Sequence, residues 1–129
     1  MRVVVTGADG FAGRWLCQSL VDDGATVFAW VRRAPGKPLP GVTYRTQDIR
    51  DAAGCANAMA QDDPQQVFHL AAVTHLGQAQ SDPEAAHATN VTGTHNIMSA
   101  VPAQATAVLA STCHVYGRPM ALPIDETHP

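Results

Sequence analysis

The stretch VVVTGADGFAG at residues 3–13 decides the fold of this chain. An apolar run of strand-forming residues leads directly into three glycines, Gly7, Gly10 and Gly13, and an amphipathic stretch follows. A strand that turns at glycines and restarts as a helix directs free backbone N–H groups at one point, which suits a pyrophosphate. We predict a tight turn at Gly7, approach of the phosphates at Gly10 and close helix packing at Gly13. The alternative is an ordinary glycine-rich turn.

Composition limits the classes of partner. The chain has 129 residues, which is enough for one globular domain. Its net charge of −3 provides no basic surface for nucleic acid or an anionic membrane. No segment has the length of a transmembrane helix. Cys17, Cys55 and Cys113 are scattered, which predicts reduced thiols and a cytoplasmic protein. The cysteines and histidines lack the spacing of zinc ligands, so we expect no metal site.

Strand and helix patterns alternate along the chain. The sequence predicts strands at residues 2–6, 26–31, 42–45, 66–70 and 105–110, and helices at residues 11–23, 51–60 and 83–100. Gly24 is expected at the C-cap of the first helix and Asp51 at the N-cap of the second. This alternation predicts an α/β fold, one domain over residues 1–129, with a parallel sheet covered by helices on both faces.

Short motifs occur in a fixed order along the chain. They are TGADGFAG at residues 6–13, DIRD at 48–51, HLAA at 69–72, STCHVYG at 111–117 and PIDE at 123–126. Together they resemble the extended short-chain dehydrogenase/reductase family, which contains sugar-nucleotide epimerases, dehydratases and reductases. The resemblance covers the whole chain. It implies a Rossmann-type sheet with strand order 3-2-1-4-5, ending after the fifth strand and without the C-terminal substrate subdomain.

The resemblance also implies a set of cofactor-binding residues. These are Gly7, Gly10, Phe11, Ala12, Gly13, Asp48, Ile49, Leu70, Ala71, Ala72 and Asn90. Asp48 would accept a hydrogen bond from the adenine amino group while Ile49 packs on the ring; the alternative is a turn or capping aspartate. Ala71 and Ala72 would let the backbone lie close to a ribose or nicotinamide, or they simply pack closely. Asn90 would be a buried helix residue that holds a main-chain network, or an exposed polar residue.

The end of the second predicted strand indicates which dinucleotide is bound. NAD-specific sites place a carboxylate there for the ribose 2′-hydroxyl. This chain has Val31 at that position, followed by Arg32 and Arg33, whose guanidinium groups suit a 2′-phosphate. We therefore expect NADP, with NAD as the alternative cofactor. The two arginines are otherwise solvated residues that begin a loop.

The resemblance places the family's catalytic serine or threonine at Thr112, whose hydroxyl would hydrogen-bond the reacting sugar oxygen. The family's proton donor is a tyrosine followed four residues later by a lysine. Neither Tyr44 nor Tyr116 has that lysine, and the chain's single lysine is Lys37. We therefore expect the N-terminal part of a longer oxidoreductase that is inactive alone. The alternative is a complete, non-enzymatic dinucleotide-binding module.

Substrate class follows from the same resemblance. His114 stands where the family's dehydratases carry an acidic residue, so we expect a reductase or epimerase acting at C4 of a nucleotide-linked hexose. The motifs look most like the GDP-4-keto-6-deoxymannose reductase branch. Without the family's next helix and strand, an apolar surface beside residues 83–100 and the edge of the fifth strand would be exposed. Such surfaces favour self-association, so we expect a homo-oligomer.

Overall fold

The computed structural model describes residues 1–120 and 122–128, and its centre is a parallel sheet. The strands are β1 (Arg2–Thr6), β2 (Thr26–Val31), β3 (Val42–Thr46), β4 (Gln66–His69) and β5 (Thr106–Leu109). Their order is β3-β2-β1-β4-β5, and every neighbouring pair is parallel. The predicted strand order and direction are confirmed.

Helices connect the strands and cover the sheet. They are α1 (Phe11–Asp22), α2 (Ala52–Asp62), α3 (Leu76–Ser81), α4 (Pro83–His87) and α5 (Thr94–Ala100), with a π-helix at Ala88–Gly93 and a 3-10 helix at Cys113–Tyr116. Gly24 follows α1 with a left-handed φ of 78°, and Asp51 caps α2 by accepting a 3.0 Å hydrogen bond from the Gly54 N–H. The Asp51 cap is confirmed, and Gly24 takes the left-handed position directly after the C-cap residue, which is Asp23. Within residues 1–120 and 122–128, no helix is long and apolar enough to cross a membrane.

The predicted single helix at residues 83–100 is wrong in its middle, where the π-helix separates α4 from α5. Two tertiary contacts occur in this wider turn. A Cβ on Gly93 would lie 2.6 Å from the Ile49 side chain, and the Asn90 amide hydrogen-bonds the backbone of Val73. Helix α3 was not predicted. It buries no residue, so it carries no amphipathic pattern.

The core lies on both faces of the sheet. Side chains of a strand alternate between faces, so Val3 and Val5 pack beneath α1 against Cys17 and other apolar residues. Val4 points to the other face and belongs to a cluster with Met59 of α2 and Ile97 of α5. All three valines of β1 are fully buried. Helices therefore cover both faces of the central strand, as the sequence predicts.

Asp62, at the end of α2, fastens that helix to two strands. Its carboxylate is 1% exposed and accepts hydrogen bonds from Arg45 Nη2 at 2.6 Å and from Arg45 Nε at 3.1 Å. Trp30 Nε1 donates to the same carboxylate at 2.7 Å. A buried charge is stable only when such partners replace water. The three residues therefore form an anchor between α2, β2 and β3.

Apolar side chains are exposed on the helix and strand at the far edge of the sheet. Val91 and Met98 are 54% and 41% exposed, and Val108 and Leu109 of the edge strand β5 are 46% and 47% exposed. The expectation of an uncovered apolar surface beside residues 83–100 and along the fifth strand is confirmed. Self-association through it stays a prediction.

Replacing Asp62 by alanine should lower the free energy of unfolding by about 3 kcal/mol, because the Arg45 guanidinium and the Trp30 N–H lose their partner. This loss of stability is at the lower end of the cost of breaking a buried ion pair, because the Arg45 side chain is 31% exposed. Urea unfolding measures the change. Glu126→Ala, which removes an exposed carboxylate, is the control. Equal stabilities of the two variants would contradict the anchor.

Candidate functional site

A cavity of about 480 Å³ opens at the carboxyl ends of β1, β2 and β4. The chain leaves β1 towards β2 on one side and later returns to β4 on the other, so the cavity lies where the strand order reverses. Parallel α/β sheets bind ligands at such a switch point. The lining comes from five segments of the chain: Gly7, Asp9, Gly10, Phe11, Ala12, Gly13; Trp30, Val31, Arg32; Gln47, Ile49; Leu70, Ala71, Ala72, Val73, Thr74, Gln78; and Thr89 of the π-helix.

The glycine turn forms one wall of the cavity. Gly7 has a left-handed φ of 66°, and a Cβ there would lie 2.8 Å from the Ala71 nitrogen. A Cβ on Gly13 would collide with the Gly7 carbonyl and with Ala8. The turn is closed by a 3.0 Å hydrogen bond from the Gly10 N–H to the Gly7 carbonyl. The tight turn and the close helix packing predicted for Gly7 and Gly13 are both present.

The N-terminus of α1 opens into this cavity without a cap. Gly10 is the N-cap residue, no side chain accepts a hydrogen bond from the first turn, and that turn contains no acidic residue. The first N–H groups of a helix have no partner within it and favour an anion. Asp9, an exposed carboxylate on the turn, also lines the cavity. The helix end provides donors and partial positive charge for a bound anion.

On the β2 and β3 side, the predicted residues separate into two groups. Arg32 and Ile49 line the cavity, whereas Arg33 and Asp48 do not. Ile49 is 6% exposed and packs in the core behind the cavity. The Asp48 carboxylate receives hydrogen bonds from Arg50, the shortest from Nη2 at 2.6 Å, and the Arg50 guanidinium lowers the pKa of Asp48. Asp48 is thus held by its own neighbour.

Beneath the cavity, a buried polar chain crosses from β1 to α5. Thr6 Oγ1 lies 2.7 Å from His69 Nδ1, and His69 Nε2 lies 3.0 Å from Thr94 Oγ1. Thr6 Oγ1 also accepts hydrogen bonds from the N–H groups of Leu70 and Ala71, each at 3.2 Å. Burial lowers the pKa of His69. These hydrogen bonds therefore join the ends of β1 and β4 to α5 through the imidazole of His69.

Asn90 binds a main-chain segment as expected, but it is not buried. Its Nδ2 donates to the Val73 carbonyl at 3.0 Å, and its Oδ1 accepts from the Val73 N–H at 2.7 Å. The residue is exposed, although its amide makes both of these contacts. The expected burial is wrong, whereas the main-chain contact is present and fixes a residue that lines the cavity.

Thr112 lies outside the cavity lining, after β5. Its side chain caps the 3-10 helix by accepting from the His114 N–H at 3.3 Å, and its Oγ1 lies 2.9 Å from His114 Nδ1. Both residues are exposed. Cys17 and Cys55 are free and buried, and burial raises the pKa of each thiol to about 11, so neither is a nucleophile. In the described part of the chain, no cluster could hold a metal ion.

Ten of the predicted site residues meet at the cavity: Gly7, Gly10, Phe11, Ala12, Gly13, Arg32, Ile49, Leu70, Ala71 and Ala72. Arg33, Asp48, Asn90 and Thr112 do not line it. The sequence reasoning missed Gln47, although it directly precedes the DIRD motif, and it missed the segment after HLAA, from Val73 to Gln78. That segment has no pattern in its sequence, and contacts such as the one with Asn90 bring it to the cavity.

Comparison with known proteins gives one consistent result. Residues 3–129 match the model of the NAD dependent epimerase/dehydratase family. A UDP-glucose 4-epimerase of Rhizobium leguminosarum bv. trifolii is 33% identical over 130 residues, covering 98% of this chain and 40% of the relative. A CDP-glucose 4,6-dehydratase of Salmonella typhimurium is 34% identical over 108 residues, covering 78% and 30%.

A solved structure adds a bound cofactor to this comparison. The crystal structure of Thermus thermophilus UDP-glucose 4-epimerase in complex with NAD matches with a TM-score of 0.71 at 32% identity. The match covers 78% of this chain and 33% of that chain. This chain spans about 40% of the length of the first curated relatives it matches.

The buried imidazole of His69 should make stability depend on pH. Burial lowers the pKa of His69 in the folded chain. Below the ordinary histidine pKa of 6.5, the imidazole of the unfolded chain therefore binds a proton while that of the folded chain does not. The free energy of unfolding should therefore be highest above that pH and decrease as the pH falls towards the folded pKa.

Urea unfolding between about pH 7.5 and about pH 5.5 tests this dependence. His69→Asn should remove part of the decrease, whereas His95→Asn, at an exposed position of α5, should retain it. An identical pH dependence in the native chain and in the His69 variant would refute the account of the buried imidazole.

Proposed function

We propose that this chain, which belongs to the NAD dependent epimerase/dehydratase family, binds a nicotinamide dinucleotide with its pyrophosphate over the glycine turn. The uncapped N-terminus of α1 is the observation that carries the proposal. Its first turn lacks both a side-chain cap and an acidic residue, and it faces a cavity of about 480 Å³ at the switch point of the sheet. A pyrophosphate would supply the acceptors and the charge that this helix end favours.

The rest of the dinucleotide would extend to both sides of β1. On the β2 side, Ile49 would pack on the adenine ring, and Asp48, steadied by Arg50, would accept from the adenine amino group. On the β4 side, the backbone at Leu70, Ala71 and Ala72 would lie against the nicotinamide ribose. Small side chains at the two alanines leave room for that approach. The bound dinucleotide would supply the hydride acceptor and donor.

Asn90 would support the nicotinamide side indirectly. Its amide makes two hydrogen bonds to the backbone of Val73, which lines the cavity just beyond Ala72. A residue held at both its N–H and its carbonyl cannot shift along the wall of the cavity. Asn90 would therefore set the shape of the wall without touching the dinucleotide.

We favour NADP over NAD, because arginine side chains lie at and near the end of β2. Val31 occupies the position where NAD-specific sites have a carboxylate, and Arg32 lines the cavity directly after it. Arg32 and Arg50 both lower the pKa of Asp48, so both lie near that side. Arg14 donates to the Lys37 carbonyl at 2.9 Å, which brings the loop after β2 to α1. NAD, the ligand of the Thermus thermophilus relative, is the alternative.

In the whole enzyme, we propose hydride exchange between this dinucleotide and C4 of a nucleotide-linked hexose. The proposal rests on the family and on relatives named as UDP-glucose 4-epimerases. Thr112 would hydrogen-bond the sugar oxygen, and a Tyr-Lys pair that this chain does not contain would transfer the proton. The chain alone would then be inactive. A complete, non-enzymatic dinucleotide-binding module is the alternative, and the intact mass of the natural protein separates the two.

Assembly and location follow as further parts of the proposal. The exposed apolar side chains of the π-helix, α5 and β5 would associate with a second copy when the chain is isolated. A cytoplasmic location agrees with Cys17 and Cys55, which are free thiols.

Gly10→Val should abolish dinucleotide binding without unfolding the chain. Gly10 has extended backbone angles that valine adopts, φ −72° and ψ 171°, and a Cβ would meet only the Gly7 carbonyl oxygen, at 3.1 Å. The new side chain would stand where the phosphates approach. We expect Kd for NADPH to rise at least about tenfold, because charge-assisted contacts are lost.

A fluorescence titration with NADPH measures this change, and circular dichroism reports the fold. Gly36→Val is the matched control, since a Cβ at Gly36 meets no atom within 4 Å. An unchanged Kd in the folded Gly10 variant would exclude the glycine turn as the phosphate site.

Replacing Arg32 by serine should weaken NADP binding by roughly 1.5–3 kcal/mol, the cost of a lost charge-assisted contact, and should leave NAD binding nearly unchanged. Arg33→Ser should have the smaller effect, because Arg32 lines the cavity and Arg33 does not. Arg118→Ser, at an exposed position near the end of the chain, is the charge control. Equal losses for NADP and NAD would show that Arg32 does not recognise the 2′-phosphate.

A further inference from the structure

The hydrogen-bond partners of Thr6 determine the tautomer of His69. The N–H groups of Leu70 and Ala71 can only donate, and both lie 3.2 Å from Thr6 Oγ1, so they use the two lone pairs of that oxygen. The hydroxyl proton is then directed at His69 Nδ1, 2.7 Å away, which must be the unprotonated acceptor. The ring proton is on Nε2 and donates to Thr94 Oγ1 at 3.0 Å.

The hydrogen bonds of Thr6 extend to backbone groups that line the cavity. The Leu70 N–H is shared between the Thr6 carbonyl, at 3.3 Å, and the Thr6 hydroxyl. The Ala71 N–H is held by the hydroxyl. Ala71 lines the cavity, and its nitrogen lies 2.8 Å from where a Cβ on Gly7 would be. The orientation of one buried hydroxyl therefore fixes the backbone against which the glycine turn packs.

His69 is suited to orient that hydroxyl. The imidazole is 2% exposed, its strand is flanked by β1 and β5, and its second nitrogen is fixed by Thr94 at the start of α5. Without an acceptor at the Nδ1 position, the Thr6 hydroxyl would rotate to place its proton elsewhere. A lone pair would then turn away from the Ala71 N–H, and the buried amide would lose its partner.

We propose that His69 is a positioning residue for dinucleotide binding: its Nδ1 orients the Thr6 hydroxyl, which holds the Ala71 backbone in the place that the nicotinamide ribose contacts. The inference rests on the proposed function of the cavity. It assigns to the histidine of the HLAA segment an effect on cofactor affinity that is separate from its effect on stability. His69 touches no ligand itself.

Two substitutions separate these effects on the purified chain. In His69→Asn, the side-chain oxygen lies near the position of Nδ1 and can accept from Thr6. In His69→Gln, the amide reaches the position of Nε2 and leaves Thr6 without an acceptor. Each variant loses one of the two hydrogen bonds, so both should be destabilised to a similar degree. We expect Kd for NADPH to stay within about twofold in the Asn variant and to rise about tenfold in the Gln variant.

Amide hydrogen exchange provides a readout that needs no ligand. The Ala71 N–H should remain protected in the Asn variant and exchange faster in the Gln variant. Leu20→Ala, in the core near the other end of α1, is the stability control; it should lower the melting temperature and leave Kd unchanged, and its Ala71 exchange gives the increase that loss of stability alone produces. Equal Kd and equal Ala71 exchange in the two His69 variants would overturn the proposal.

A test on the native chain does not require any variant to fold. Nitrogen NMR of the His69 ring should show the neutral tautomer with the proton on Nε2, and a proton on Nδ1 would overturn the proposal. A native chain that binds no dinucleotide would refute the proposed function and, with it, the role in binding. Binding that is normal in the folded Gln variant would refute only the role of His69.

Discussion

The site depends on the absence of a side chain at two glycines, Gly7 directly after β1 and Gly13 in the first turn of α1. Gly7 leaves the strand at a positive φ and lies against the Ala71 backbone, while Gly13 brings α1 onto the carbonyl of Gly7. A Cβ at either position would force β1, α1 and β4 apart. Because these elements meet so closely, the uncapped first turn of α1 is aimed across the carboxyl ends of the strands. The phosphate site that we propose would thus be produced by packing and would need no charged side chain of its own.

Polar contacts hold the wall of the cavity that follows β4 in place opposite the glycine turn. The Thr6–His69–Thr94 chain fixes the end of β4 from below, and Asn90 fixes Val73 from the π-helix. Both sets of hydrogen bonds hold backbone groups, and both involve helical segments that come after β4 in the chain. The far edge of the sheet has no such cover, since Val108 and Leu109 of β5 are exposed.

Features set by local rules were predictable from the sequence. The valines of β1, the glycines of the turn, Gly24 after α1 and Asp51 before α2 each follow a local sequence pattern, so pattern and spacing located them. Features set by distant contacts were not. The π-helix coincides with the contacts of Gly93 with Ile49 and of Asn90 with Val73, and α3 buries nothing that could mark it. The motif around Asp48 suggested an acceptor for the adenine amino group or a turn aspartate, and the contacts of Asp48 with the Arg50 backbone N–H and guanidinium could not be read from the motif.

A dinucleotide pyrophosphate is proposed to bind at the start of α1. A backbone NMR titration of the native chain with NADP+ tests it most directly, because each amide reports on its own surroundings. Binding there should produce saturable shifts at Gly7, at residues 10–13 and at Ala71, together with Arg32 on the β2 side, and small shifts along β5. Saturable binding with its largest shifts away from the glycine turn, or no binding at millimolar NADP+, would contradict it.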